Sequence, residues 1–523
     1  MKLKNKKILW GIPIILTIFS LIVLSATGVI PIKSLFKRNY KYEDSITYRI
    51  SKELKKKDSV DSTDSLKNKV RYIAFTDIED GAEVDDIQSM YRLLLYSNEL
   101  NIEGLITNTS TFVKHINYKN TDVIHEIIEK YDGVKNNLDR HAENFPSANY
   151  LHSVTVGGIN NYGNEAGKDF ASQELIGNEG VDLFLRAAEK NDDRPIYIGL
   201  WGGANTLAQA LWEYENSHTL EEFNKLLSKL RIYGISDQDN ASHWLRENYG
   251  DRLSYIVTPS KGTAAGSDNY YRAVWPGISS DKFKHGSEDG EKNGGFTGAD
   301  FHLFDNEWIK KNIQNVSSYG EGYPLPTYIS EGDTPAFLWA IPNGLNIPES
   351  PDLGGWGGRY QFYLPDPIKD VPEEKFPIWT NTKDRVIGND GKEHISPQAT
   401  LWRWRKDFQE DFAARMLWTS TKDSQISSHI PKIENSWNNS SAHSGEEVEL
   451  NVTIDEPERY NFVWTAYQEI GGVDFQLSGN GPNAIVKVPE NISNQTQLHV
   501  IVRVSEKKEN AAVKYARFVI TVD

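Results

Sequence analysis

The sequence predicts an α/β domain, a mostly parallel sheet wrapped by helices, followed by a small all-β sandwich. Two observations predict the first part. From about Val70, short apolar runs alternate with helical patterns over ~200 residues, the rhythm of a parallel sheet with crossover helices. The apolar runs also end repeatedly in polar clusters, as strands do where their carboxyl ends line one edge of a sheet. A third observation predicts the second part. After about Ser424, short strand-like segments follow one another with turn signals between them, and VELNVTI and ARFVITV alternate apolar with polar. At 523 residues the chain is long enough for two or three domains. The expected boundaries are 1–32 for a membrane anchor or signal sequence, 33–69 for a polar stalk, 70–423 for the α/β domain and 424–523 for the sandwich.

The N-terminus sets the expected compartment. Lys2, Lys4, Lys6 and Lys7 precede an uncharged apolar run from Ile8 to Ile32. A basic flank before an apolar run fits export, with the basic end left in the cytoplasm. The run is long enough to span a bilayer at ~20 residues. It exceeds the core of a signal peptide and lacks a clean small-x-small cleavage site, which favours an uncleaved anchor over a secreted product. Either way the rest of the chain is expected outside the cytoplasm. The net charge of −16 argues against nucleic acid as a partner. With no cysteine, disulfides, zinc–thiolate sites, cysteine nucleophiles and lipoprotein attachment are excluded.

Taken in order, Tyr72–Phe75 is a strand that turns acidic at once: Asp77, Glu79, Asp80, Glu83, Asp85 and Asp86. Ile87, Met90, Tyr91, Leu94 and Leu95 then fall at helical spacing. Carboxylates crowded at a strand end suit a hard cation such as calcium or magnesium. A solvated acidic turn at a helix N-terminus is the competing reading. Asn101–Ile106 is a strand ending in Thr107, Asn108, Thr109 and Ser110. Helices are expected at Asp122–Tyr131 and Asp182–Lys190. Pro195–Leu200 is a strand ending at Trp201-Gly202-Gly203, with Asn205 opening a helix. Glu221–Leu230 is a helix leading to the strand Arg231–Ile235, which ends in Ser236, Asp237, Gln238 and Asp239. Arg252–Val257 is a strand, and Tyr328–Ser330 a short one before Glu331-Gly332-Asp333.

Three later segments follow. The glycine-rich stretch 343–359 surrounds Trp356, which either stacks on a sugar ring or packs over the core. Thr400–Thr419 reads as one helix with core-facing aromatics, and its Arg403, Arg405 and Arg415 could pair with the acidic edge or with nothing. Strands are expected at Glu447–Ile454, Tyr460–Tyr467, Asn483–Val488, Gln497–Val504 and Val513–Val522, with Trp464 in the sandwich core.

The stretches TDIEDGAEVDDIQSMYRLLLYSNELNIEGLI, WGGANTLAQAL, YGISDQDNASHW, EGDTPAFLWAIPNGL, GGWGGRYQFY and TLWRWRKDFQEDFAARM occur in this order. Together they resemble a family of exported bacterial proteins, described as cellulose-binding. That family has a nucleoside-hydrolase-like domain followed by an Ig-like sandwich. The looser resemblance is to nucleoside hydrolases, whose first strand ends in an aspartate, three residues and an aspartate pair that hold calcium and ribose. Asp77 matches the first aspartate and Asp85-Asp86 the pair. The segment between is four residues longer here, which makes Asp80 a rival for the first position. Gly202 to Thr206 resembles the motif that supplies a backbone carbonyl ligand, at or near Asn205. Gly332-Asp333 matches a late His-Asp pair, with the ligand kept and the leaving-group histidine replaced. His243, His302 and Asp237 are the alternative acids.

The resemblance thus implies Ca2+ held by Asp77, Asp86, Asp333 and the Asn205 carbonyl. Asp77 would deprotonate the attacking water and Asp85 would orient the sugar. Asn108, Asp237, Asp239, Glu331 and Trp356 are the candidate substrate-binding residues. Two functions remain open. One is a metal-dependent hydrolase of a glycosyl bond in a carbohydrate or glycoside. The other is a non-catalytic protein that binds cellulose or another plant glycan at the cell surface.

Overall fold

The computed structural model describes residues 43, 45–54, 69–163, 170–260, 273–279, 301–327, 329–420 and 426–523. Its centre is β1, Val70–Thr76, whose sequence VRYIAFT is apolar at nearly every position. Such a run suits a strand covered on both faces. Alternate side chains feed different cores: Tyr72 and Ala74 enter one apolar cluster, Ile73 and Phe75 the other. This is the two-residue period of a strand.

β1 lies inside an eight-stranded sheet with β2 (Leu100–Thr107), β3 (Thr155–Gly157), β4 (Ile196–Leu200), β5 (Leu230–Gly234), β6 (Ser254–Ile256), β7 (Tyr360–Tyr363) and β8 (Ile378–Asn381). The order is β3-β2-β1-β4-β5-β6-β8-β7. Every pairing is parallel except the one between β7 and β8. The chain leaves β1 toward β2 and β3, then returns to build β4 on the other side of β1. That reversal opens a crevice at the carboxyl ends of β1 and β4, where ligands bind in open α/β sheets.

Helices cover both faces. Val84–Leu95 and Tyr118–Leu138 line one core; Glu179–Ala188, Asn205–Ser217, Leu220–Lys229 and Asn240–Tyr249 line the other. The mostly parallel sheet wrapped by helices is therefore the fold that the alternating pattern predicts. The expected helix Thr400–Thr419 is two, Ala399–Trp402 and Arg405–Trp418.

A hairpin of β9 (Asp384–Ile387) and β10 (Glu393–Ser396) precedes the C-terminal part. There β11 (Trp437–Ala442), β13 (Tyr460–Ala466), β16 (Gln497–Glu506) and β17 (Val513–Val522) form one sheet, ordered β11-β17-β16-β13. The second sheet is β12 (Glu447–Asn451), β15 (Asn483–Lys487) and β14 (Gln476–Asn480). All pairs are antiparallel except β11 with β17. Val486, Val500, Val502, Phe518 and Ile520 fill the space between the sheets. Trp464 is half-buried at the margin of this core, its indole N–H donating to the Gly481 carbonyl at 2.9 Å.

β16 and β17 are buried on both faces, although ARFVITV alternates. The outer face of their sheet docks on the helix Arg405–Trp418. Ile501, Val513 and Tyr515 join the core of the α/β part. Tyr515 donates to Asp407 at 2.5 Å, and the Val513 N–H donates to Asp411 at 3.0 Å.

The apolar run 8–32 lies outside the described residues, and among those that are described no helix is long and apolar enough to cross a membrane. Within the segment read as a stalk, Ile46–Leu54 is a helix docked on Tyr118–Leu138. Thr47 donates to Asp122 through its backbone N–H at 2.8 Å and its hydroxyl at 2.6 Å.

Candidate functional site

Asp77 is the first residue after β1, and Asp85 and Asp86 lie in the first turn of the helix Val84–Leu95. The four extra residues do not displace them. Glu79 and Glu83 form an isolated bridge, and the Glu83 N–H donates to the Glu79 carbonyl at 3.1 Å. This closes the insertion into a small loop that holds Asp80 in solvent while Asp77 is 1% exposed. Of the two rivals, Asp77 is the one that faces the aspartate pair. The same closure brings in Glu83, which the sequence reading left unassigned. One oxygen each from Glu83, Asp85 and Asp86 lie within 4.8 Å of one another. Two oxygens on one calcium ion are separated by at most about 5 Å, twice the bond length.

Asp333, just before the helix Pro335–Leu338, completes the cluster, close enough for its charge to act on Asp86. Both carboxylate oxygens of Asp77 and Oδ2 of Asp333 are buried without a hydrogen-bond partner. Among the described residues no lysine, arginine or histidine forms an ion pair with Asp77, Glu83, Asp85, Asp86 or Asp333. An uncompensated buried carboxylate costs several kcal/mol, so it shifts toward the protonated form or takes a cation. Burial pushes Asp77 up to about 7, with the Asp85 charge adding to it and the nearby Ser110 hydroxyl opposing it. Burial raises Asp85 to about 6 against the pull of backbone N–H groups, among them that of Gly332. Asp86 and Asp333 stand well above the usual carboxylate range, through burial and then the facing aspartates. Burial, then the charges of Asp77, Asp85 and Asp86, push Glu83 up to about 11. Thr76 donates its hydroxyl to Asp86 Oδ1 and fixes that side chain. The orphaned oxygens and the all-oxygen donor set fit a hard divalent cation.

The strand ends are tied together around this cluster. Asn108 N–H donates to the Thr76 carbonyl at 2.7 Å, Trp201 N–H to Phe75 at 2.8 Å, and Gly203 N–H to Thr109 at 2.8 Å. Gly202 lies directly against Asp77: a Cβ there would fall 2.9 Å from the aspartate Cβ.

With this geometry in view, the family model described as "Cellulose-binding Sde182, nucleoside hydrolase-like domain" matches residues 71–360. The chain belongs to this family. Its structure is similar to that of a nucleoside hydrolase-related hypothetical protein from Saccharophagus degradans associated with carbohydrate metabolism. The match has 27% identity and a TM-score of 0.66, and covers 87% of this chain and 100% of that one. The titin domain M7 matches 18% of this chain and 94% of its own length at 12% identity, but its TM-score of 0.14 carries no argument. A comparison with curated proteins finds no match.

The Sde182-type site does not use every residue expected of it. Asn205 is the first residue of the helix Asn205–Ser217, where carbonyls turn into the helix and only N–H groups are left over. Its side chain donates to Thr109 Oγ1 at 3.0 Å and to the Asn161 carbonyl at 2.8 Å. Asn205 is thus a brace, and Gly202 is the residue of that loop in contact with Asp77. Asn108 is also a brace, donating to the Gly203 carbonyl at 2.5 Å and accepting from Thr206 at 2.6 Å.

Asp237 is held by both guanidinium nitrogens of Arg246, at 2.7 and 2.9 Å, and Glu374 binds the same arginine. It is neither a free acid nor a free ligand contact. Asp239 accepts the N–H groups of Ala204, Asn205, Ala241 and Ser242, joining two helix N-termini. Burial still raises it to about 7 against those four donors. Glu331 is fully buried, 2.7 Å from Arg92 Nε, and accepts from Tyr323 at 2.5 Å and Thr334 at 3.0 Å. Its carboxylate belongs to the interior.

Trp356 is 1% exposed and donates its indole N–H to the Tyr515 hydroxyl at 3.0 Å. The docked C-terminal sheet covers it, so of its two expected roles Trp356 packs over the core and does not stack on a sugar. Nor do the arginines reach the acids. Arg403 pairs with Asp384 at 2.7 Å, Arg405 donates to the Ile278 and Gly277 carbonyls, and Arg415 pairs with Asp411 at 2.8 Å.

The alternative acids are also elsewhere. His243 Nδ1 lies 3.8 Å from Glu374, beside the Arg246 cluster, and His302 is exposed. At Gly332 a Cβ would fall 2.6 Å from Asp85 Oδ2. No histidine fits there while Asp85 keeps its place.

Proposed function

We propose that this protein hydrolyses a glycosyl bond in a carbohydrate or glycoside at a calcium site formed by Asp77, Asp86 and Asp333, with Asp85 beside it. The observation that supports this best is the set of buried, unpaired oxygens of Asp77 and Asp333, facing the aspartate pair at the crevice between β1 and β4. A bound cation there supplies a grip on vicinal hydroxyls and Lewis-acid polarisation. Asp77, the most enclosed carboxylate of the cluster, takes the proton from the attacking water. Asp85, less buried than Asp77 and Asp86, orients the sugar. The carboxylates together stabilise the positive charge that develops at the anomeric carbon. Thr76 holds Asp86 for its role by donating to the other oxygen. Activity against plant-wall oligosaccharides, aryl glycosides or nucleosides that is lost in chelator and restored by calcium is the expected result. Undiminished activity in chelator contradicts it.

A second reading, carbohydrate binding without turnover, is favoured by two observations. Gly332 leaves no room for a leaving-group histidine. Phe362, 55% exposed on the edge strand β7, pairs with Trp379 of β8 at 5.3 Å between ring centroids, an aromatic surface fit for a sugar ring. The two readings share a carbohydrate partner. We also propose export, with residues 8–32 holding the protein at the outer side of the membrane. Protease digestion of intact cells, which should remove the folded part, tests this.

A further inference from the structure

The floor of the acidic crevice is closed: Asp77, Asp86 and Asp333 are each at most 3% exposed. A sugar gripped there is the end of its chain, and the unit joined to its anomeric carbon extends outward past the rim. On the β2 side that rim is shaped by Ser110. Its buried hydroxyl lies beside the Asp77 carboxylate. The same oxygen accepts the N–H groups of Phe112 at 2.9 Å and Val113 at 3.0 Å, while the Ser110 N–H donates to the Val113 carbonyl at 2.8 Å. This tight turn buries Val113 and leaves Phe112 50% exposed. Two residues of chain separate Phe112 from Ser110, at most about 7 Å.

The loop after β3 braces the turn. Thr109 donates to the Asn161 carbonyl at 3.1 Å, Thr111 hydrogen-bonds the Tyr162 hydroxyl, and the Lys114 ammonium lies over the Tyr162 ring at 5.7 Å. Asn205 donates to the same Asn161 carbonyl, and the Asn240 N–H donates to that of Gly163 at 2.9 Å. A lone exposed apolar side chain is ordinary on a protein surface. Phe112 differs in that the hydroxyl beside Asp77 fixes its backbone, and a second loop holds the turn in place. A β-linked glucose unit has flat C–H faces that pack on an aromatic ring, with its hydroxyls at the edge.

We propose that Phe112 is the stacking surface for the second unit of a β-glucan chain end, the unit joined to the anomeric carbon of the sugar held at the cation. Lys114 and the Tyr162 hydroxyl lie on the same rim, where the edge hydroxyls of that unit pass. The inference rests on the reading above and gives it a substrate class.

The test uses two ligands on the purified full chain in calcium, measured by calorimetry. Thiocellobiose has two rings and a sulfur linkage that resists hydrolysis; methyl β-glucoside has one ring. Thiocellobiose should bind more tightly. Phe112→Ala should weaken it about fivefold and leave methyl β-glucoside unchanged. Phe112→Tyr should retain both affinities. Equal melting temperatures in chelator show that the variants fold. Equal affinity of the parent for the two ligands, or equal effects of Phe112→Ala on both, overturns the proposal. So does a loss confined to a nucleoside such as inosine, which would place a nucleobase on the ring. Calcium bound with neither sugar ligand held overturns this inference and leaves the cation; no calcium bound overturns the cation reading beneath it as well.

Discussion

A side chain on Gly202 would meet Asp77 at 2.9 Å from both its Cβ and its Cγ. The end of β4 is therefore a wall against which the first aspartate is set. Gly202→Ala should push Asp77 out of line with Asp86 and Asp333. We expect calcium affinity to fall at least tenfold, with a stability cost of about 1–3 kcal/mol from the added methyl. Calorimetry and thermal unfolding of the variant separate the two effects.

The carboxylate cluster also predicts a pH dependence that calcium reverses. In the absence of metal, Asp85 is raised to about 6 and Asp77 to about 7, from 3.8. The native state then holds protons that the unfolded state has released. Stability is present below about pH 4 and is lost as pH rises through about 6 to 7. Calcium replaces those protons, so its stabilising effect should be larger at pH 7 than at pH 5. Melting temperatures in chelator and in calcium at the two pH values check this; equal calcium shifts at both would contradict it.

Arg92 and Glu331 form an ion pair in the interior, and Phe412 lies beneath the guanidinium at 4.1 Å. Arg92→Met strands a buried carboxylate. A loss of about 3–5 kcal/mol is expected in denaturant unfolding. Glu331→Gln, which leaves the residue able to hydrogen-bond Tyr323, should cost less than Glu331→Ala.

Trp379, half-buried on β8, and the exposed Phe362 on β7 lie four and five strand positions from β1, roughly 19 and 24 Å at ordinary strand spacing. They should contribute to holding an insoluble glucan without touching the acidic crevice. Replacing both by alanine is expected to weaken cellulose binding by about 1 kcal/mol, or roughly fivefold. Calcium affinity should not change. Pull-down on cellulose beside calorimetry reads both.

Long, strongly patterned segments were legible in the sequence. The run Val70–Thr76, the acidic turn and the helix Val84–Leu95 follow from hydrophobic period and charge alone. β3, β7, β8, β9 and β10 are three or four residues each, too short to show a period. The helix Asn240–Tyr249 was hidden by its polar sequence, and Asp239, capping it, is the signal that marks its start. At the site, Asp77 and the aspartate pair were readable, while Glu83 depended on how the insertion closes. Of the two roles open to Trp356, packing over the core is the one it has, for a physical reason. A glycine-rich loop suggests an open ligand surface, but here the glycines let the chain pass beneath a docked sheet, with Gly357 against Trp339 and Gly354 against Tyr467. Nothing local in the sequence shows that the two parts share a core.

The most direct test of the account is reducing-sugar release by the purified chain, supplied with calcium and offered plant-wall oligosaccharides, aryl glycosides and nucleosides. Asp86→Asn is measured beside it. Release by the parent, reduced at least a hundredfold in the variant, is the predicted result. No release from any of these substrates, with cellulose binding equal in the two proteins, would contradict the hydrolase and leave the binding protein.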